Sequence, residues 1–275
     1  MGAGPVLYIG TSGWNYSDWR GTFYPEDLPA RQYLAWYSSR FSTTELNYSF
    51  YHLPRGSTFK NWFAQTPEGF VFAVKAHRSI THVRRLEAVE GIWSEFLENA
   101  SELKHKLGPV LLQFPPSLRA RPEVLRAFLE SSRRMLGAKR IPLAFEFRHS
   151  SWFSEEVEGL LREHGAAMVI ADSERFPQAP LRPTAPFVYL RFHGPGRMFA
   201  SEYSEAELRE WAGRITAWRS QGLAVFAYFN NDFHGYALNN ARTLGELLAG
   251  ARVPAANALP VRPAPSSRRA RARRR

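Results

Sequence analysis

Acids and bases recur near the ends of short apolar segments of this chain, among residues that otherwise read as buried. LAFEFRH (143–149) places Glu146 and Arg148 at alternate positions between Leu143, Phe145 and Phe147. In an extended chain, alternate side chains face opposite ways, so Ala144, Glu146 and Arg148 share one face. A carboxylate and a guanidinium inside a protein cost free energy unless they are paired or used. The same parity recurs elsewhere. It gives Glu45 and Asn47, Lys75 and His77, and Gln113. It also gives Asp172, then Tyr189, Arg191 and His193, and finally Tyr228, Asn230 and Asp232 with Asn231 between them. A strand buried on both faces should be apolar throughout. Polar residues at one parity in seven such segments point to a polar ligand-binding mouth.

The chemistry this set suggests is proton transfer. Glu146 reads as general acid or base, held by Arg148, with Lys75 or His193 as proton partner and Asp172 as orienter. Glu45, Asn47, Gln113, Arg148, Arg191, Asn230, Asn231 and Asp232 would hold a small polar or anionic substrate, with Trp14 and Tyr16 of SGWNYSDWRGTFYP offering ring faces. That loop also reads as an aromatic plug over one rim. In HGPGR, Gly194 and Gly196 let backbone N–H groups approach an anion, and Arg197 adds charge. Two carboxylates also permit glycoside hydrolysis. A Schiff base on Lys75 needs a desolvated amine, and the four acids nearby are expected to keep it protonated. Those acids and a histidine could ligate Mg²⁺ or Mn²⁺, but the interleaved Lys and Arg already supply the countercharge, so no metal or other cofactor is expected. No GxSxG elbow, P-loop or GxGxxG is present.

Eight segments have strand character: 6–12, 43–50, 70–76, 109–114, 143–149, 166–172, 187–193 and 224–231. Helical patterns separate most of them, the clearest over 86–107, with others beginning near Pro29, Ser57, Pro122, Ser154, Ser204 and Gly235. Ser204 with Glu207 forms a capping-box signature. Eight strands alternating with helices over about 250 residues predict a single-domain TIM-type (β/α)8 barrel. In that fold the strand C-termini and the loops after them make the active site, where every residue above is placed.

Composition sets the remaining bounds. The 275 residues are 44% hydrophobic, without cysteine, so disulfides, thiolate metal sites and cysteine nucleophiles are excluded. No apolar run is long enough to span a membrane, and no signal-peptide pattern opens the chain, so a cytoplasmic protein is expected. The net charge of +11 is misleading: residues 251–275 hold eight arginines and no acid, which leaves +3 for residues 1–250. The barrel is placed at 1–250 and the Arg-rich remainder is expected to be a disordered tail, able to hold nucleic acid by charge alone.

GTSGWNYSDWRGTFYP (10–25), ELNYSFYHLP (45–54), FVFAVKAHRSITH (70–82), GPVLLQFPP (108–116), FEFRHSSW (145–152), FVYLRFHG (187–194) and YFNNDFHGYALNNA (228–241) resemble the YecE-like family, the domain-of-unknown-function family numbered 72. The resemblance implies a TIM-type barrel and no assigned activity, so it transfers no catalytic residue. Three functions stay open: an acid–base enzyme (hydrolase, isomerase or lyase), a nucleic-acid-associated protein or nuclease using the tail, and a non-catalytic binding barrel.

Overall fold

The computed structural model describes residues 5–137 and 141–248. Within them one parallel sheet curls into a nearly closed barrel: β1 (Leu7–Thr11), β2 (Thr43–Leu46), β3 (Val71–Lys75), β4 (Leu107–Gln113), β5 (Leu143–Glu146), β6 (Ala167–Met168), β7 (Ile170–Asp172), β8 (Phe187–Phe192) and β9 (Ala224–Phe229). The spatial order is β6-β5-β4-β3-β2-β1-β9-β8-β7, all parallel. The nine strands are the eight expected ones with the sixth divided at Val169. Its first half pairs with β5 and its second half with β8. One chain segment therefore serves both ends of the sheet, with Val169 N–H still donating to Phe145 O at 2.9 Å.

Helices fill the outer layer: α1 (Tyr33–Ser38), α2 (Tyr48–Tyr51), α3 (Gly56–Ala64), α4 (Glu90–Ala100), α5 (Pro122–Leu136), α6 (Glu155–His164), α7 (Glu205–Ser220) and α8 (Tyr236–Leu247). Ser154 caps α6, Gly165 ends it in the left-handed region, and the Ser204–Glu207 capping box starts α7. Two expected elements differ. The helix over 86–107 is interrupted because Arg85, Leu86 and Ala88 take positive φ in a turn before α4, and Lys104 breaks the chain again after it. The strand over 43–50 ends at Leu46, and Asn47 enters the short helix α2. None of the described helices is long and apolar enough to cross a membrane.

Strand alternation decides what the barrel contains. On β8, Val188, Leu190 and Phe192 pack outward with Leu208 and Trp211 of α7, while Tyr189 and Arg191 point inward. Aromatic rings from Tyr8, Phe187, Tyr189, Phe226 and Tyr228 fill the lower and middle interior. The barrel is thus a packed core whose polar layer is confined to the C-terminal end. Tyr228 OH bonds Thr43 Oγ1 at 2.8 Å, and Tyr189 OH donates to Glu45 Oε2 at 2.8 Å, so the buried phenols also find partners.

β1 and β2 approach closely at Gly10, where a Cβ would lie 2.3 Å from Thr43 O. Tyr37 OH fastens the junction, accepting from Thr11 N and donating to Thr43 O. Gly10→Ala is expected to cost about 1–3 kcal/mol in urea denaturation. Gly91→Ala, on a helix surface with nothing near the new Cβ, is expected to be neutral or stabilising by up to about 1 kcal/mol. Equal effects would refute the close-approach explanation.

Candidate active site

Arg191 is the hub of the polar layer. Its Nε and Nη2 donate to Glu45 Oε2 and Oε1 at 2.9 and 2.6 Å, and its Nη1 donates to Glu146 Oε2 at 2.5 Å. Glu146 Oε1 also accepts from Arg148 Nε at 2.8 Å. Glu45, Glu146 and Arg191 are buried, while the Arg148 side chain keeps 15% exposure at the opening. Burial alone would raise both glutamate pKa values, but Arg191 overrides it, assisted by Arg148 at Glu146. Both carboxyls therefore lie below the usual carboxylate range. Two carboxylates and two guanidiniums already sum to zero.

Lys75 adds a third cation to that balanced set. It is 8% exposed, and its Nζ lies 4.0 Å from the centroid of the Phe50 ring. Among the described residues its amine makes no hydrogen bond and no ion pair. Burial first, and Arg191 second, pull its pKa down to about 7. Of the four acids expected to keep it protonated, Glu146 and Glu45 still favour the ammonium but are engaged by guanidiniums, and Asp172 and Asp232 lie elsewhere. Lys106 shows how this fold satisfies a buried lysine. Its Nζ donates to Phe63 O, Thr66 O and Thr66 Oγ1 at 2.7–3.2 Å.

His193 is buried beside Glu146. Its Nδ1 meets Asn230 Nδ2 at 3.2 Å, which leaves the proton on Nε2, 3.6 Å from Glu146 Oε1. That separation is too long for a hydrogen bond, and Nε2 has no other partner. Burial lowers the His193 pKa, so the ring is neutral near pH 7. Gln113 pairs in register with Glu146 and donates to Phe114 O at 2.7 Å. Asn47 Oδ1 and Ser12 Oγ are further buried atoms without partners at the ends of β2 and β1.

The structure does not bring every expected residue to this point. Asp172 is misplaced by the sequence reading: it pairs in register with Phe192, an outward residue, and lies towards Tyr203 and Trp211 outside the barrel. Ala171 takes the inward position beside Arg191. Asp232 accepts from Trp19 Nε1 at 2.9 Å at the rim, and burial raises its pKa to about 7. Asn231 is buried, bonding Ser201 O and Asn240 Oδ1 at 2.8 Å, so it ties the loop after β8 to α8. Trp14 packs edge-on against Trp62 and Phe72, and Tyr16 lies tilted against Trp19 while donating to Ser12 O at 2.6 Å. These contacts describe a packed cover over the β1 end. In the expected anion loop, Gly194 N–H donates to Tyr203 OH and Arg197 N–H to Ser201 Oγ, so both amides are already used. Gly196 is exposed there with the Arg197 side chain.

One candidate was missed. His82 follows β3 in a π-helical turn, Ser79–Val83, with its ring 4.9 Å from Phe50. Burial, then Lys75 and Arg148, lower its pKa to about 4. Single π turns recur at functional sites, but no side-chain pattern in the sequence announces one. The loops after β2 to β5 (47–55, 76–89, 114–121 and 147–154) carry seven arginines and one acid, Glu87. Glu87 is already paired with Arg121. Half of the rim is therefore strongly basic. A cavity of about 1210 Å³ lies elsewhere, on the outer face of β1 between α1 and α8. Among the described residues no three His, Asp or Glu side chains group as metal ligands would.

Fold and site together define a parallel α/β barrel protein with a buried charge network at the strand C-termini. The chain belongs to the family described as "Protein of unknown function DUF72", whose model matches residues 8–265. The match passes the boundary expected at residue 250; residues 251–275, including the Arg-rich tail, lie outside the described residues. The UPF0759 protein YunF of Bacillus subtilis is 30% identical, with 88% of this chain and 95% of that protein covered. The UPF0759 protein YecE of Escherichia coli is 29% identical over 61% of this chain and 60% of that protein. A DUF72 family protein of Thermotoga maritima superposes with a TM-score of 0.76 at 30% identity, covering 88% of this chain and 99% of that one.

The Lys75 assignment has a stability consequence. A lysine whose pKa falls from 10.5 to about 7 on folding binds fewer protons in the native state between those values. Stability then rises with pH across that window, and below about 7 the full penalty is present. Lys75→Met is expected to be more stable than the parent at pH 7, with the gap closing towards pH 10.5. A gap independent of pH in chemical denaturation would contradict the shifted lysine.

Proposed function

We propose that the barrel mouth binds a small anionic ligand and performs acid–base chemistry on it. The observation that carries this reading is the unmatched cation: a network already neutral without Lys75, beneath a half-rim with five further arginines once Arg148, in the network, and Arg121, paired with Glu87, are set aside. A protonated Lys75 is stabilised when an anion joins it, and a neutral Lys75 is an amine base near pH 7. Glu146 stays ionised, with Arg148 and Arg191 fixing its position. His193 Nε2–H and the imidazole of His82 are the groups left to donate or relay a proton. Asn47 and Gln113 provide neutral polar contacts beside them.

The same electrostatics argue against glycoside hydrolysis by two carboxylates, since that reaction needs one of the pair protonated and Arg191 holds both ionised. A proton-transferring isomerase or lyase suits an amine base better. A second reading rests on a separate observation: Tyr48, Tyr51 and Phe233 are each more than half exposed at the rim. Exposed rings beside arginines suit a single-stranded nucleic acid, by stacking and phosphate contact.

Thermal denaturation with glycerol 3-phosphate against glycerol tests the first reading. Only the phosphate is expected to raise Tm, and Lys75→Met and Arg148→Ala should weaken the effect. Equal shifts from both compounds, or none, would count against an anion-binding mouth. Binding only by oligothymidylate, falling steeply with salt, would favour the second reading.

A further inference from the structure

We propose that Lys75 is a covalent capture site, forming an imine with an aldehyde or ketone that carries a carboxylate or phosphate. This rests on the anion-binding, proton-transferring mouth proposed above and names its substrate class. Three observations place the nucleophile. The side chain comes from the last residue of β3, at the mouth end of a rigid barrel strand. It lies against the Phe50 ring, an apolar wall that offers no acceptor for its protons. It makes no hydrogen bond among the described residues, so its lone pair is not opposed by fixed N–H···O contacts. Lys106, comparably buried, spends its amine on three such bonds.

The neutral amine is available near pH 7 because burial and Arg191 disfavour the ammonium. The Phe50 face favours the cation, while burial and Arg191 oppose it. In the reaction the nitrogen lone pair forms an N–C bond, and the carbonyl π pair moves to oxygen. One N–H proton passes to that oxygen, and His82, adjacent to Phe50, is placed to relay it. The C–O bond then breaks, and the second N–H proton leaves with the hydroxyl as water while the nitrogen pair closes the C=N bond. Amine plus carbonyl gives imine plus water, with no oxidant or further reactant. Protonation of the imine nitrogen from solvent would restore the unmatched positive charge. The carboxylate or phosphate of the substrate neutralises it, so the site favours anionic carbonyl compounds over neutral ones.

The chain has five lysines, which makes the test clean. The full protein is incubated with glyoxylate, dihydroxyacetone phosphate or, as the neutral control, acetone. Sodium cyanoborohydride is added, followed by intact-mass analysis and peptide mapping. One adduct on Lys75 is expected, formed at least tenfold faster with the anionic carbonyls than with acetone. Its rate should be half-maximal near pH 7, and Lys75→Met should lack it. The mapping in the unmodified chain is decisive whether or not that variant folds. Absence of an adduct, or labelling of exposed Lys60 and Lys104 at the same rate as Lys75, would overturn the proposal. Glycerol 3-phosphate separates the two readings. If it binds while no carbonyl is trapped, capture fails and the anion-binding mouth stands. If neither occurs, both fail.

Discussion

Arg191 clamped between Glu45 and Glu146 is the constraint on which the C-terminal end of this barrel depends. Three strands distant in sequence, β2, β5 and β8, each send one charged side chain inward at the same height. A bidentate fork on one carboxylate and a third bond to the other fix those strands relative to one another. The arrangement is all-or-none in energy. Removing one partner from such a buried set typically costs about 3–5 kcal/mol, because it strands an unpaired charge, although an apolar replacement of the whole set can be neutral. The network therefore makes the mouth specific rather than merely stable.

Its electrical neutrality governs the neighbouring groups. Lys75 has no carboxylate left to claim. His193 lies just outside hydrogen-bond reach of Glu146, and Asn47 and Ser12 hold buried oxygens without partners. Unmet polar groups are rare in native proteins and concentrate where function needs them. Among the described residues, four of the six such side-chain atoms, in Ser12, Asn47, His193 and Asn231, sit just past strand ends, above the aromatic core, and the other two, in Trp93 and Ser132, lie on outer helices. The basic half-rim then supplies a field over the opening that would draw anions towards it.

Much of this was legible in the sequence. LAFEFRH showed its pairing through alternation alone, and Glu146 and Arg148 do share the inward side with Arg191 and Glu45. The barrel followed from strand count and from polar residues restricted to strand ends. Asp172 failed by parity: Ile170 and Asp172 lie on the outer face while Val169 and Ala171 face inward, a distinction hidden because all of these positions are small or apolar apart from the aspartate itself. The surroundings of Lys75 were hidden for a different reason. Which acid pairs with which base depends on distances between strands, and Arg191 outcompetes a lysine through its planar fork. His82 was invisible because its position depends on a π turn and three positive-φ residues after it, which backbone packing selects. The division of the sixth strand at Val169 likewise arises from closing the sheet, a global requirement with no local signal.

The central claim, that the mouth is balanced without Lys75, can be measured directly by the side-chain titration of that residue. With five lysines, ¹³C-labelled reductive dimethylation followed by NMR would resolve each amine in turn. A Lys75 midpoint near 7 is what the account predicts. A Lys75 midpoint at or above 10.5 would contradict it, because it would mean that the carboxylates of the network serve the lysine after all.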